Sequence, residues 1–318
     1  MTRPMPRLVT LGETMGALTT IVPGPLTNGA LLRLGTAGAE STVAIGVRRL
    51  GHHTAWIGCV GDDAIGRLVL ACLRGEDVDV TAARTLATAP TALMLRERRT
   101  ADRTRVGYYR RAMAGSRLAP VDLDESLIAA ADVLHLTGIT PALSSTSAAA
   151  AHRALDIAEK HGVTVSFDVN YRSALWSRAQ ASRELQELAA RSHLVFAGTD
   201  EAELLTGAPA DPARSARAIA ALGPGEVVIK LGADGAMTHR DGRDHHQPAL
   251  PVTCVDPVGA GDAFVAGYLA AVLDAAPIPQ RLHQAATCAA FGISVPGDWD
   301  GLPRADELTL LSDDDIIR

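Results

Sequence analysis

From residue 133 to residue 230 the chain alternates short apolar runs with longer stretches of helical periodicity, and this alternation limits the fold more than any other feature. Val133–Leu136, Val163–Asp168, Leu194–Ala197 and Val227–Lys230 read as strands. Ser144–His161, Arg178–Arg191 and two shorter segments beginning at Asp200 and Ala213 read as the helices between them. Strands spaced by helical crossovers pair in parallel, so the pattern predicts a parallel sheet with helices on both faces. Arg7–Leu11 and Thr54–Val60 add two strands, and Ser41–Leu50 and Ala64–Arg74 add two helices. Two β-rich patches, about residues 14–35 and 91–111, break the alternation and are punctuated by P-G-P, N-G and R-T-A-D-R-T turns. They read as one small sheet covering the mouth of the main one. With 47% hydrophobic residues in 318, the core is large enough for residues 1–318 to form a single domain.

Charge and composition narrow the partners. A net charge of −6 argues against nucleic acid or an anionic membrane surface. No run of 18 apolar residues occurs, and the N-terminus M-T-R-P-M-P-R-L has no apolar core, so neither a membrane span nor a signal peptide is expected. Cys59, Cys72, Cys254 and Cys288 lack C-x-x-C spacing and read as reduced, mostly buried thiols rather than zinc ligands. A cytoplasmic protein is expected.

The sharpest chemical signal is V-T-C-V-D-P-V-G-A-G-D-A-F, from Val252 to Phe264. It reads as a strand (Val252–Val255), a tight turn through Pro257, Gly259 and Gly261, and a helix (Ala263–Leu273), with Asp262 closing the turn. The first N–H groups of a helix have no internal partner and carry partial positive charge. Gly259, Ala260 and Gly261 have little or no side chain, so an anion can approach those N–H groups. Asp262 is then either a plain cap or a carboxylate working beside a bound anion. Ala263, Ala266, Gly267, Ala270 and Ala271 form a small-residue face that lets this helix pack close to its sheet.

D-P-V-G-A-G-D resembles the C-terminal signature D-T-x-G-A-G-D of the ribokinase-like (PfkB-type) sugar kinases, with Pro257 where Thr is commonest. The resemblance runs from Leu8 to about Gly301 and implies a ribokinase-like three-layer α/β/α fold with a mostly parallel central sheet and a small β-sheet lid. It implies that Asp262 is the general base and that Gly259, Ala260 and Gly261 form the anion hole for the transferred phosphoryl group. A-G-A-E-S-T-V-A resembles the sugar-binding G-G-x-x-x-N motif, which assigns Gly38, Ala39 and Glu40 to the sugar. Ala37 and Thr42 depart from it, and a helix start capped by Ser41 or Thr42 is the plain alternative. Asn170 and Arg172 in S-F-D-V-N-Y-R match positions that contact nucleotide phosphate or the acid group of a sugar, unless this is only a strand-end turn. Glu201 matches a residue associated with Mg²⁺ and phosphate, although Gly198 replaces the Asn of that motif and a first-turn acid on a helix is the plain alternative. Lys230, Gly232 and Gly235 in K-L-G-A-D-G match a nucleotide-binding strand end. Ala285–Gly292 matches a small-residue helix walling the adenine pocket, without the Asn often found near Ala286.

The segment R-V-G-Y-Y-R-R-A-M-A-G-S bears on the acceptor. Aromatic residues make up 3% of the chain, yet Tyr108 and Tyr109 stand together beside Arg110 and Arg111. In a strand Tyr108 and Arg110 share a face, and a guanidinium beside a phenol suits a carboxylate with hydroxyls. A charged edge strand is the bland reading. The segment also resembles the 2-keto-3-deoxygluconate kinase branch of the family, as does L-T-G-I-T-P-A-L-S, which implies that Tyr108, Arg110 and Asp298 meet a sugar acid. The resemblance thus implies an ATP- and Mg²⁺-dependent kinase, with a monovalent cation left open and a homo-oligomer expected. Kinases for fructose or ribose, and a non-catalytic sugar- or nucleotide-binding regulator, remain the alternatives.

Overall fold

The computed structural model describes residues 6–100, 103–207 and 211–311. An eight-stranded sheet runs, in spatial order, through Arg243–Gln247, Ala236–Arg240, Glu226–Lys230, Leu194–Gly198, Thr164–Asp168, Val133–Thr137, Leu8–Leu11 and Thr54–Ile57. The last six are parallel, and the first two join as antiparallel neighbours. Strand residues alternate between two helical layers. Val227 and Ile229 pack with the helices Ser145–His161 and Arg178–Ala190, whereas Val228 packs with Ala39–Arg49, Ala260–Leu273 and Ile278–Ile293. That period of two, buried on both faces, is what near-continuous apolar strands require. The expected three-layer arrangement is therefore present.

A smaller four-stranded sheet is ordered Leu32–Ala37, Met15–Thr20, Leu93–Arg98, Thr104–Tyr109. Met15, Ala17, Ala37, Ala92 and Met94 form its own apolar cluster. It is built from two chain segments that leave the carboxyl side of the main sheet, where an open α/β fold binds its ligands.

Several local readings are corrected. Val252–Val255 is not a strand; it is irregular, with Thr253, Cys254 and Val255 exposed, and only the N–H groups of Val255 and Asp256 bond back, to the Ile293 carbonyl at 2.7 and 3.1 Å. Cys254 is consequently solvent-facing, unlike buried Cys59 and Cys288. The strand expected over Thr54–Val60 breaks at Gly58, where a Cβ would press on the Gly12 carbonyl at 2.5 Å. The small-residue face of Ala260–Leu273 makes its close approach to helices rather than to the sheet. A Cβ on Gly267 would lie 2.8 Å from Cys288 Sγ, and one on Gly46 2.6 Å from Ala266 Cβ. Among the described residues no helix is long and apolar enough to cross a membrane.

Candidate active site

The helix Ala260–Leu273 begins directly after Gly259, which takes a left-handed φ of 80° and has no side-chain cap. A Cβ at Gly259 would collide with the Asp298 carbonyl oxygen, so this position needs glycine for space as well as for angle. Asp262 does not close the turn as expected; it stands in the first helical turn, where Ala260 N–H makes a long 3.4 Å bond to the Pro257 carbonyl and the neighbouring Gly259 and Gly261 N–H groups are left without a side-chain cap. Asp256 braces the loop before it, accepting from Val258 N–H at 3.2 Å and Gly297 N–H at 3.3 Å.

Two strand ends meet this turn. Asn170, at a left-handed φ of 36°, donates from Nδ2 to Asp262 Oδ1 at 3.2 Å. Lys230 Nζ bonds both oxygens of Asp168 at 2.7 and 2.8 Å, and it lies 3.7 Å from where a Gly261 Cβ would be. Burial works against the Lys230 charge, but Asp168, Glu201 and Asp262 hold its pKa above the usual value. Burial first, then the Asp168 charge, pushes Asp262 up to about 6, although Arg172 and Lys230 pull the other way. Such a carboxylate is ionised at neutral pH and still basic enough to accept a proton.

On the opposite wall, Gly38 precedes the helix Ala39–Arg49; a Cβ there would lie 2.6 Å from the Glu13 carbonyl and 2.7 Å from Ser41 Oγ. Neither Ser41 nor Thr42 caps that helix. Glu40 is buried, with Oε1 accepting from Thr137 and Thr140 hydroxyls at 2.6 and 2.9 Å, and Oε2 has no partner among the described residues. Desolvation raises its pKa. The strand carrying Tyr108 ends at Tyr109, yet the Arg110 guanidinium still lies over the Tyr108 ring, 5.3 Å from its centre. Glu13 holds Arg110 from behind at 2.6 Å, and Arg110 Nε has no partner among the described residues.

Both walls face one cleft of about 850 Å³. Every site residue singled out from the sequence lines it except Gly235, which turns inward at φ 94° onto residues 247–249. No residue of Ala285–Gly292 lines it either; that stretch packs on Ala260–Leu273. Glu201 does line it, but both its oxygens are engaged, by Tyr171 N–H at 2.8 Å and Gly198 N–H at 2.7 Å. Asp298 is paired with Arg96 at 2.9 Å, and burial still pushes it up to about 7. Glu13, Arg96 and Asp168 are functional candidates that sequence reading missed. A glutamate ending the first strand and an aspartate ending another were the available signals, since ligands gather at such ends.

An open helix N-terminus, a tuned carboxylate beside it and a separate polar wall suit transfer of an anionic group to a hydroxyl. Comparison with known proteins agrees with that chemistry. The chain is 38% identical over 305 residues to the 2-dehydro-3-deoxygluconokinase of Thermoproteus tenax, covering 94% of this chain and 92% of the relative. It is 34% identical over 303 residues to the enzyme of the same name from Bacillus subtilis (strain 168), covering 94% and 93%. The crystal structure of the PfkB protein from Polaromonas sp. JS666 superposes with a TM-score of 0.87 at 34% identity, covering 96% of this chain and 99% of that one. The model of the pfkB family carbohydrate kinases matches residues 5–305, glycine turn included, and the chain belongs to that family.

Proposed function

We propose that the protein is an ATP-dependent kinase that phosphorylates the primary hydroxyl of 2-keto-3-deoxygluconate. The observation that carries this reading is Asp262, held near pKa 6 in the first turn of a helix whose uncapped N-terminus, Gly259 to Gly261, lines the same cleft. Asp262 takes the proton of the acceptor hydroxyl, while the N–H groups at Gly259–Gly261 meet the charge on the group in transfer. Lys230 and Arg172 add positive charge on the nucleotide side, and Asn170 orients the base. ATP supplies the phosphoryl group, and Mg²⁺, when bound, neutralises its phosphates. Among the described residues no three potential metal ligands cluster, which suits an ion that keeps its waters and sits on phosphate. Glu201 would face that hydration shell. Gly38, Glu40 and Tyr108 are positioned for sugar hydroxyls, and the small sheet would close over them and keep water out. A cytoplasmic homo-oligomer belongs to the same reading; exposed Ile21, Val22 and Leu31 near the small sheet offer apolar contact surface.

The names of the two relatives support a sugar acid as acceptor. One observation favours a neutral sugar instead: Glu13 already balances the Arg110 charge. A coupled assay with ATP and a panel of sugar acid, fructose and ribose decides, with highest kcat/KM expected for 2-keto-3-deoxygluconate. Fructose or ribose outcompeting it overturns the acid assignment, and no turnover on any member points to a binding protein. Arg110→Ala is expected to raise KM for the sugar acid by the equivalent of about 1.5–3 kcal/mol, and Arg110→Lys by less, because the lysine keeps the charge without the fork. KM for ATP should stay unchanged in both. Little effect on the sugar-acid KM would show that Arg110 serves Glu13 rather than the substrate.

The base also predicts a pH profile. Because the Asp262 pKa is raised to about 6, its active ionised form is lost as pH falls through that value. kcat/KM should drop about tenfold per pH unit below it. A profile flat down to about pH 4.5 would contradict a base of that pKa.

A further inference from the structure

Arg96 lies on the small-sheet strand Leu93–Arg98 and is 2% exposed. Its Nη2 donates to both oxygens of Asp256 at 2.8 and 2.6 Å, and its Nη1 donates to Asp298 Oδ1 at 2.9 Å. Both aspartates frame the glycine turn. Asp256 fixes Val258 and Gly297 through their N–H groups, and Asp298 sets its carbonyl against Gly259 so tightly that no Cβ fits between. Where the N–H groups of Gly259–Gly261 point is therefore set by two loop segments that share one guanidinium. That guanidinium comes from the other sheet. Arg33 and Thr36 of the small sheet also reach the loop around Asp298, through Pro296 O at 2.9 Å and Trp299 Nε1 at 3.1 Å. These two contacts hold the loop's outer rim, whereas Arg96 reaches the residue that opens the turn.

We propose that Arg96 is a positioning residue for phosphoryl transfer, making the anion-binding shape of the turn depend on the seating of the small sheet. A planar fork can span two carboxylates in fixed geometry, which an ammonium cannot do. Small displacements at a transfer site lower the rate far more than they weaken binding. The activity arm of the test rests on the kinase reading above; the exchange arm does not.

The test compares the wild type with Arg96→Lys and Arg96→Met. Expected kcat losses are about 10-fold for Lys and about 100-fold for Met, with KM for ATP and sugar little changed. Amide hydrogen exchange should quicken at Val258 and Gly297, whose N–H groups Asp256 accepts, and at Ala260, bonded to the Pro257 carbonyl, while the far end of the helix Ala260–Leu273 keeps its protection. Guanidinium ion, at non-denaturing concentration, should restore part of the activity of Arg96→Ala. Should Arg96→Met fail to fold because two carboxylates lose their partner, the neutral pair Arg96→Gln with Asp256→Asn and the charge-keeping Arg96→Lys carry the test. A folded variant with wild-type kcat and unchanged exchange at Val258, Ala260 and Gly297 overturns the proposal. If the wild type phosphorylates no sugar, the kinase reading falls, and the exchange measurement alone decides whether Arg96 holds the turn.

Discussion

Asp262→Asn leaves a folded protein whose kcat is lower by roughly 10²–10⁴. The substitution keeps the size of the side chain and an oxygen for the Asn170 amide, now 3.2 Å away. It removes the negative charge and with it the ability to take a proton. Lys230 keeps its two bonds to Asp168, so the nucleotide side of the cleft stays in place and ATP affinity should be largely retained. Thermal stability should not fall, because burial and then the Asp168 charge disfavour ionised Asp262 by more than Arg172 and Lys230 favour it. Steady-state kinetics with a melting curve checks both parts. Turnover within about threefold of wild type would remove Asp262 from the role of base.

Gly261→Val is expected to lower kcat by about 10²–10³, the range for loss of one donor to a developing charge, with only a modest drop in Tm. Gly261 has no strained backbone angle; the left-handed position is Gly259. A Cβ at Gly261 meets nothing nearer than Lys230 Nζ at 3.7 Å, so the fold can accept a branched side chain. Its methyl groups would then occupy the space an anion needs and crowd the lysine. Gly259→Ala makes the contrast, since it should damage fold and activity together through its angle and the Asp298 carbonyl. If Gly261→Val unfolds while Gly259→Ala does not, the roles given to the two glycines are reversed.

The central strands were legible because each is apolar on both faces and bounded by a helix of clear period. The hairpin Ala236–Arg240 to Arg243–Gln247 went unread, although Asp241-Gly242 is a turn signal; its second strand is R-D-H-H-Q, with polar residues where burial would otherwise reveal a strand. Val252–Val255 failed in the opposite direction, having β-type residues but no neighbouring strand to pair with. The turn itself was legible because its chemistry is local: small residues, then an aspartate. Arg96 was not, since L-M-L-R-E-R-R-T reads as one more charged edge, and the partners that give this arginine meaning lie 160 and 202 residues further along. Glu13 is similar, 97 positions before the Arg110 it holds, and only the fold brings the pair together.

The two segments that build the small sheet both hang from connections outside the parallel strands, and no strand of the main sheet passes through them. The strand ends that carry Asp168, Asn170 and Lys230 therefore lie outside these two segments, which touch the glycine turn chiefly through Arg96. On the kinase function proposed above, most of the acceptor wall (Gly38, Glu40, Tyr108, Arg110) falls before residue 111 and the transfer machinery after residue 167, with Arg96 joining the two. Exchanging the small sheet for another should then change the acceptor while keeping transfer, provided the graft retains an arginine at position 96 to clasp the turn.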